Sequence, residues 1–491
     1  MNDMGNEDFF MKTYDVIIIG AGVNGCMLAH KLAAYKFDIA VIEAGCDVAS
    51  GASRANSAIV HAGFDAASGT LKAALNVRGC AALPEIARQL DVPYRNNTSL
   101  VVAFGGEDDR MLEVLLERGR TNGVPGLEII GQEKLRELEP NISPDATAAL
   151  VAPSAGIICP YDLTIACAEN SAINGVDFFF DHRVDGIEKD GGEIVVRAGE
   201  EFRARFVVNS AGVHSAEIAR LADPDFPIDI IPRRGEYMIL DKAEGKTCKA
   251  TLFACPNKEG KGILVSPTVD GNIIVGPNAH KVAPDDTSTT AVGLDEVSKG
   301  ARKLVPGINL RAVITSFAGV RPTPTTDDFH IEPSAKLPNQ LDLVGIESPG
   351  LASSPAVADY AIGKLEEMGL KLEKREDYNP FRTVDGHMKK PLRELSDAEK
   401  AERCKADPAY GKIICRCETV TEGDILDAIR RPIPAKTIDM VKLRTRAGMG
   451  RCQGGFCSPR VAELISNELG IPLDEITKRG GESRLLCGKT K

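Results

Sequence analysis

The sequence predicts an α/β chain with three parts: a first β-α-β layer, a mainly antiparallel second layer, and a small helical domain at the C-terminal end. The first sign is an apolar run, 16–19, followed by a glycine turn, a helix-length segment to about Ala34 and a second strand-like run at 39–42. The second is a later cluster of strand candidates at 100–104, 194–196, 206–208, 237–240, 263–265, 273–275 and 341–344. The third is a change of composition after Tyr378, where prolines and glycines surround the charged segment 389–403. These signs divide the chain into a large first unit, 14–378, a linker, 379–410, and a last domain, 411–491.

Within the linker, Ser396 and Glu399 have the spacing of a capping box and predict one short helix. In the last domain Thr421 and Asp424 open a helix that Pro432 and Pro434 end. A second helix is expected from the N-cap Ser458 with Pro459 in its first turn. It buries Val461, Leu464, Ile465 and Leu469 and stops at Gly470.

Bulk properties narrow the function. At 491 residues, with 43% hydrophobic and 26% charged residues, the chain has ordinary globular composition. A net charge of -11 argues against a broad nucleic-acid or anionic-lipid footprint. The first residues show neither a basic start nor an apolar core of a leader, and the early apolar stretch is too short and too glycine-rich to span a membrane. A cytoplasmic location is expected, peripheral to a membrane only through a partner.

The first chemical motif is Gly20-Ala21-Gly22-Val23-Asn24-Gly25, placed between strand and helix. Gly20 permits the tight turn, Gly22 lets backbone approach a pyrophosphate, and Gly25 lets helix and strand pack closely. The helix start offers N–H groups and positive potential to phosphates. Glu43 ends the next strand, at the distance where an acidic residue binds the adenosine ribose hydroxyls. This spacing alone leaves FAD and NAD open.

Three segments resemble the D-amino-acid oxidase/glycerol-3-phosphate dehydrogenase superfamily, in the family's order. They are S-G-A-S-R-A-N-S-A-I-V-H-A-G-F at 50–64, V-V-N-S-A-G-V-H-S at 207–215 and G-I-E-S-P-G-L-A-S-S-P-A-V-A at 345–358. The resemblance covers roughly residues 14–370. It implies a Rossmann-type FAD-binding domain with an antiparallel-sheet substrate domain. It also implies cofactor contacts from Gly20, Ala21, Gly22, Gly25, Glu43 and Ala44, then Ser53, Arg54, Asn56 and Ser57, and finally Val184, Ala211, Gly212, Gly350 and Leu351. In the family the helix after Gly350 points at the flavin pyrimidine ring, where its N-terminus stabilises negative charge on the reduced ring.

The same resemblance nominates catalytic residues. His61 stands where related enzymes place active-site side chains and can accept a hydroxyl proton, or instead hold the flavin turn. Arg321, in S-F-A-G-V-R-P, matches a position that grips a carboxylate or phosphate. In P-R-R-G-E-Y, one of Arg233, Arg234 or Tyr237 is expected at the pocket, and Lys72 is a weaker candidate. V-H-A-G-F with G-T-L-K-A looks most like L-2-hydroxyglutarate oxidases. The C-terminal domain instead looks like the anaerobic type of glycerol-3-phosphate dehydrogenase, although A-I-V-H-A-G departs from that enzyme's usual run.

Of the 13 cysteines, nine are scattered and expected as reduced thiols, Cys487 among them. The other four form C-x-C, Cys415 and Cys417, and C-x4-C, Cys452 and Cys457, separated by 34 residues. Tight pairs in a reducing compartment indicate a metal site. Zinc competes, although a C-x-C pair is less usual for it. The second pair lies in R-A-G-M-G-R-C-Q-G-G-F-C, which resembles the bacterioferritin-associated-ferredoxin type of 2Fe-2S domain. That resemblance implies a cluster held by all four thiolates. Gly448, Gly450, Gly454 and Gly455 would allow a tight loop whose N–H groups reach the sulfurs.

The expectation from the sequence is a dehydrogenase that oxidises an anionic secondary alcohol, glycerol 3-phosphate or a 2-hydroxy acid such as L-2-hydroxyglutarate. Hydride passes to FAD and electrons leave through the 2Fe-2S cluster to an acceptor protein or quinone-linked partner subunit. Two alternatives stand beside it: oxidation of a C–N bond in an amino acid or opine, and a redox docking module without turnover.

Overall fold

The computed structural model describes residues 12–256, 262–382, 390–486 and 488. The N-terminal segment 1–11, Lys389 and Cys487 lie outside the described residues.

Two sheets carry the site. In the first, Thr13–Ile19 is central and buried from Val16 to Ile19: Val16 and Ile18 face the helices, while Ile17 and Ile19 pack with Val184, Ile187, Val196 and Phe202. It pairs in parallel with Ile39–Ile42 on one side and Glu201–Asn209 on the other. Gln340–Val344 continues the parallel order, and Gly186–Asp190 and Glu193–Arg197 add an antiparallel edge. The helix after the glycine turn is Val23–Leu32, two residues shorter than the pattern predicts. It packs against helices Pro160–Ile173 and Gly350–Glu367, and the last of these also lies along Leu71–Gln89.

The second sheet is mainly antiparallel. Its spine is the long ribbon of Ile230–Leu240 and Val313–Pro324, joined at its edges by Ile273–Gly276, Leu264–Pro267, Thr251–Ala254 and Ser99–Ala103. One pairing departs from the pattern: Thr251–Ala254 runs parallel to Ser99–Ala103. All seven expected strand runs lie in or overlap observed strands.

The C-terminal helices follow their local signals. Ser396 and Glu399 close a complete capping box at the start of Asp397–Ala406, and Thr421 and Asp424 close another at Glu422–Ile429. The last helix, Ser458–Leu469, starts one residue early: Cys457, not Ser458, is its N-cap, and Gly470 ends it in the left-handed conformation. Val461, Leu464 and Ile465 are buried, while Leu469 is only half-buried. Between these lies a helix the pattern did not show, Ile438–Thr445, opened by the Thr437 side chain.

That helix docks the C-terminal domain. Arg444 donates two hydrogen bonds of 2.8 Å to the Asp47 carboxylate, with the side chains 0% and 7% exposed. Just past the helix, Arg446 bridges Asp270, at 2.6 Å, and Glu418, at 2.9 Å. Arg382 binds Glu169 and Asp162 beneath the same interface.

Removing one partner of a buried pair leaves the other charge unpaired, which costs about 3–5 kcal/mol. Arg444→Ala is therefore expected to lower stability by about that amount in chemical denaturation. Arg451→Ala, which breaks an exposed pair with Asp241, is expected to leave the midpoint where it was.

Candidate active site and cluster site

A cavity of ≈ 2510 Å³ runs between the two sheets, far larger than the ~300–1,000 Å³ of a usual small-molecule site. It has room for a dinucleotide and a substrate together. One end is the glycine turn. Gly20 sits at φ +101°, and a Cβ there would lie 2.6 Å from the Ser210 carbonyl oxygen. The turn can therefore press against the second nucleotide turn at 210–212 only because residue 20 has no side chain.

Most residues named from the sequence line this cavity: Gly20, Gly22, Glu43 and Ala44 at the turn, then Ser53, Arg54, Asn56 and Ser57. Val184, Ala211, Gly212, Gly350 and Leu351 line it as well. Two do not. Ala21 is buried and spends its N–H on Glu43 Oε2, at 2.8 Å. Gly25 packs against Gly20, where a Cβ would meet the Gly20 carbonyl oxygen at 2.0 Å. Their place is to shape the turn from behind.

The polar groups around the turn are aimed inward. Glu43 also accepts the Gly45 N–H at 2.8 Å, and burial pushes its carboxyl up against the two amides that hold it down. Ser53 Oγ accepts the Val23 N–H, the first amide of the helix, at 2.8 Å. Asn24 Oδ1 is buried in the turn without a hydrogen-bond partner among the described residues. At the far end the Gly350 N–H is taken by the Glu347 carbonyl. What Gly350–Glu367 presents to the cavity is thus Leu351 and the helix dipole, not the Gly350 amide.

The ribbon forms the opposite wall. Strand pairing sets Arg233 opposite Arg321, Gly235 opposite Gly319 and Tyr237 opposite Phe317. Alternation puts these six on one face. The arginines and the aromatic pair line the cavity, with the Tyr237 and Phe317 rings stacked at 4.8 Å. Between them the glycine pair makes room: the Arg321 guanidinium lies over Gly235, and the Ala55 carbonyl approaches Gly319. Arg321 donates to the Asn278 carbonyl at 2.6 Å. Burial raises the Tyr237 hydroxyl above its ordinary range, and that hydroxyl meets Ser57 Oγ at 3.2 Å.

Arg234 points to the other face and is held by Asp286 at 2.7 Å and Glu236 at 3.2 Å. It is a structural residue, and Arg233 is the one at the cavity. His61 lines the cavity with its ring 5.6 Å from that of Phe253. Lys72 reaches it too, but its amine is paired with Glu347 at 3.2 Å, and Glu347 also accepts from Thr323.

The sequence reading missed part of the wall. Phe317 was legible, four residues before Arg321 and therefore on its face. Tyr161, in helix Pro160–Ile173, also lines the cavity, as do Arg446 and Met449, brought there by docking of the C-terminal domain, and no local pattern marks them.

The four paired cysteines meet two by two across the motifs. Cys417 Sγ and Cys452 Sγ are 3.9 Å apart, and the Cys415 and Cys457 thiols hydrogen-bond to each other. No group of three or more ligating side chains among the described residues converges on a single ion. Two crossed pairs suit two irons better than one tetrahedral zinc. The Cys457 thiol, with the amides of Gly448, Glu418 and Cys417, holds the Cys415 thiol at about 6. Amides of Phe456, Gly454 and Gly455 lower Cys452. A Cβ on Gly450 would lie 2.2 Å from Cys417 Cβ, so the loop closes on the cysteines only with glycine there.

Residues 15–362 match the family described as FAD dependent oxidoreductase, and residues 413–467 match the BFD-like [2Fe-2S] binding domain. The chain belongs to the FAD-dependent oxidoreductase family. It is 46% identical to a glycerol 3-phosphate dehydrogenase of Caloramator mitchellensis over 481 residues, 97% of this chain and 99% of that one. It is 30% identical over 323 residues, 61% of this chain and 69% of the other, to the mitochondrial L-2-hydroxyglutarate dehydrogenase of Homo sapiens. Among solved structures it is similar to the L-alpha-glycerophosphate oxidase of Mycoplasma pneumoniae with FAD bound. The TM-score is 0.72 at 31% identity, covering 76% of this chain and 98% of that one. The cofactors of this oxidoreductase are FAD and a 2Fe-2S cluster. No helix among the described residues is long and apolar enough to cross a membrane.

Two substitutions separate the two sites. Gly20→Ala is expected to yield protein with little bound FAD, read from visible absorbance, because the new methyl collides with the Ser210 carbonyl. Gly450→Ala is expected to lose iron and sulfide while keeping FAD, read by iron analysis on protein purified without oxygen.

Proposed function

We propose that this enzyme oxidises the secondary alcohol of glycerol 3-phosphate and passes the electrons out through its C-terminal domain. The observation that carries the substrate reading is the Arg233–Arg321 pair. Two arginines set opposite each other on one face of the ribbon put two cationic side chains on the same cavity wall. A phosphate dianion meets that arrangement with one group, by bidentate contacts. A dicarboxylate such as 2-hydroxyglutarate divides its charge between two ends and uses the pair less fully. Similarity along 97% of the chain to a glycerol 3-phosphate dehydrogenase supports the same choice.

In this reading Arg233 and Arg321 hold the phosphate, and the stacked Tyr237 and Phe317 rings exclude water beside the carbinol. His61 accepts the hydroxyl proton as the C–H bond breaks. Bound FAD supplies a two-electron acceptor for the hydride, and the cluster, held by Cys415, Cys417, Cys452 and Cys457, supplies one-electron transfer. We take residues 14–378 as the oxidoreductase unit, 379–410 as its connection and 411–491 as the cluster unit. The electrons go to a partner protein or quinone-linked subunit.

Anaerobic mixing with glycerol 3-phosphate is expected to bleach the flavin in a single turnover, while L-2-hydroxyglutarate and amino acids do so far more slowly. Faster bleaching by either competitor would replace the substrate. Arg233→Met and Arg321→Met are each expected to raise KM for glycerol 3-phosphate by roughly 30-fold or more, the loss of a charge-assisted contact. His61→Ala is expected to slow bleaching at saturation by about 10²–10⁴-fold.

A further inference from the structure

The two halves of the cysteine set differ in where they face. Cys415 and Cys457 are 2% and 3% exposed, whereas Cys417 is exposed and Cys452 half-buried. The buried half has a neighbour at the cavity: Gly448, whose amide reaches Cys415, lines it together with Met449. Tyr161, from the FAD-binding unit, donates its hydroxyl to Met449 Sδ at 3.6 Å. The exposed half opens on the surface.

That surface is unusual for a free one. Phe456 donates its amide to Cys452, yet the residue is 88% exposed. Ile413, two residues before Cys415, is 55% exposed. Beside Cys417 a depression of ≈ 450 Å³ is lined by Ile413, Leu392 and Glu418 and by Lys242, Arg393 and Lys400, which are paired with Glu418, Glu394 and Asp397. Of the exposed cations near this edge, Lys412, Arg451 and Arg460 are held in ion pairs, whereas Arg416 makes none among the described residues. An exposed phenylalanine and an uncompensated arginine beside a depression are the composition of an interface core, not of a solvated face. The charge is local, because the chain as a whole carries -11.

We infer that the edge formed by Cys417, Cys452, Phe456 and Arg416 is the docking face for a small acidic one-electron carrier protein, which receives electrons there. The inference rests on the electron-exit reading given above. An acidic carrier meets at this edge the one cation that no carboxylate among the described residues answers, Arg416, and docking there covers Phe456. Each substrate oxidised gives up two electrons and two protons. Two carrier molecules each take one electron, and the protons pass to solvent.

The test uses holoenzyme prepared without oxygen, glycerol 3-phosphate as reductant, an acidic flavodoxin as acceptor and cationic cytochrome c as the control of opposite charge. Phe456→Ser and Arg416→Glu, each with iron content checked, are expected to reduce flavodoxin at least about 10-fold more slowly, with flavin bleaching unchanged. In the unsubstituted enzyme the flavodoxin rate is expected to fall as salt rises. Arg416→Glu is expected not to slow cytochrome c. If substrate reduces the cluster but both variants serve flavodoxin at the original rate, or if the cluster edge delivers electrons only to a quinone in vesicles, the docking face is overturned alone. If substrate never reduces the cluster, the exit route falls and the docking face with it.

Discussion

The arrangement depends on one buried ion pair. Arg444, at the end of a helix in the cluster domain, grips Asp47, four residues beyond the Glu43 that closes the nucleotide strand. Both groups are out of water, so the pair is held by geometry more than by net stabilisation: two parallel hydrogen bonds fix position and orientation together. A tethered domain without such a lock would sample many poses. Here its loop becomes part of the cavity wall, with Arg446, Gly448 and Met449 facing the same space as the FAD turn. The cluster domain is therefore a fixed component of the oxidoreductase, and its cysteines keep one orientation relative to the site.

That fixed orientation gives the molecule a direction. On the ribbon, a single alternating face carries a cation pair, a glycine gap and an aromatic pair, while the opposite face spends Arg234 and Glu236 on structure. Across the cavity the glycine turn presents amides and a helix start. Beyond it the cysteines are graded from buried to exposed. Burial differs between the layers: the arginine pair and the stacked rings line the cavity wall, and only the outermost sulfurs meet solvent.

Much of this was legible because the responsible contacts are local. The turn from Gly20 to Gly25, the box Ser396/Glu399 and the helix start at Thr421 and Asp424 operate over three to five residues, and all formed as expected. The choice between Arg233 and Arg234 was not legible. A one-residue slip in a strand exchanges its faces, and the register is set by Val313–Pro324, far away in the chain. The crossed pairing of Cys417 with Cys452 is likewise a property of the folded loop, not of either motif. Helix Ile438–Thr445 escaped notice for another reason: its inward face is built on Arg444 as well as apolar residues, so its periodicity is weak. Even Ser458, a good capping residue, lost its place by one position to Cys457, whose thiol hydrogen-bonds with that of Cys415.

The central claim is that charge taken from the substrate at the cavity reaches the cluster within the same chain. Low-temperature electron paramagnetic resonance on oxidised holoenzyme, frozen at intervals after anaerobic addition of glycerol 3-phosphate, tests it most directly. The signal of a reduced 2Fe-2S centre is expected to grow as the oxidised flavin absorbance is lost. A flavin that bleaches fully while the cluster stays silent would contradict the account.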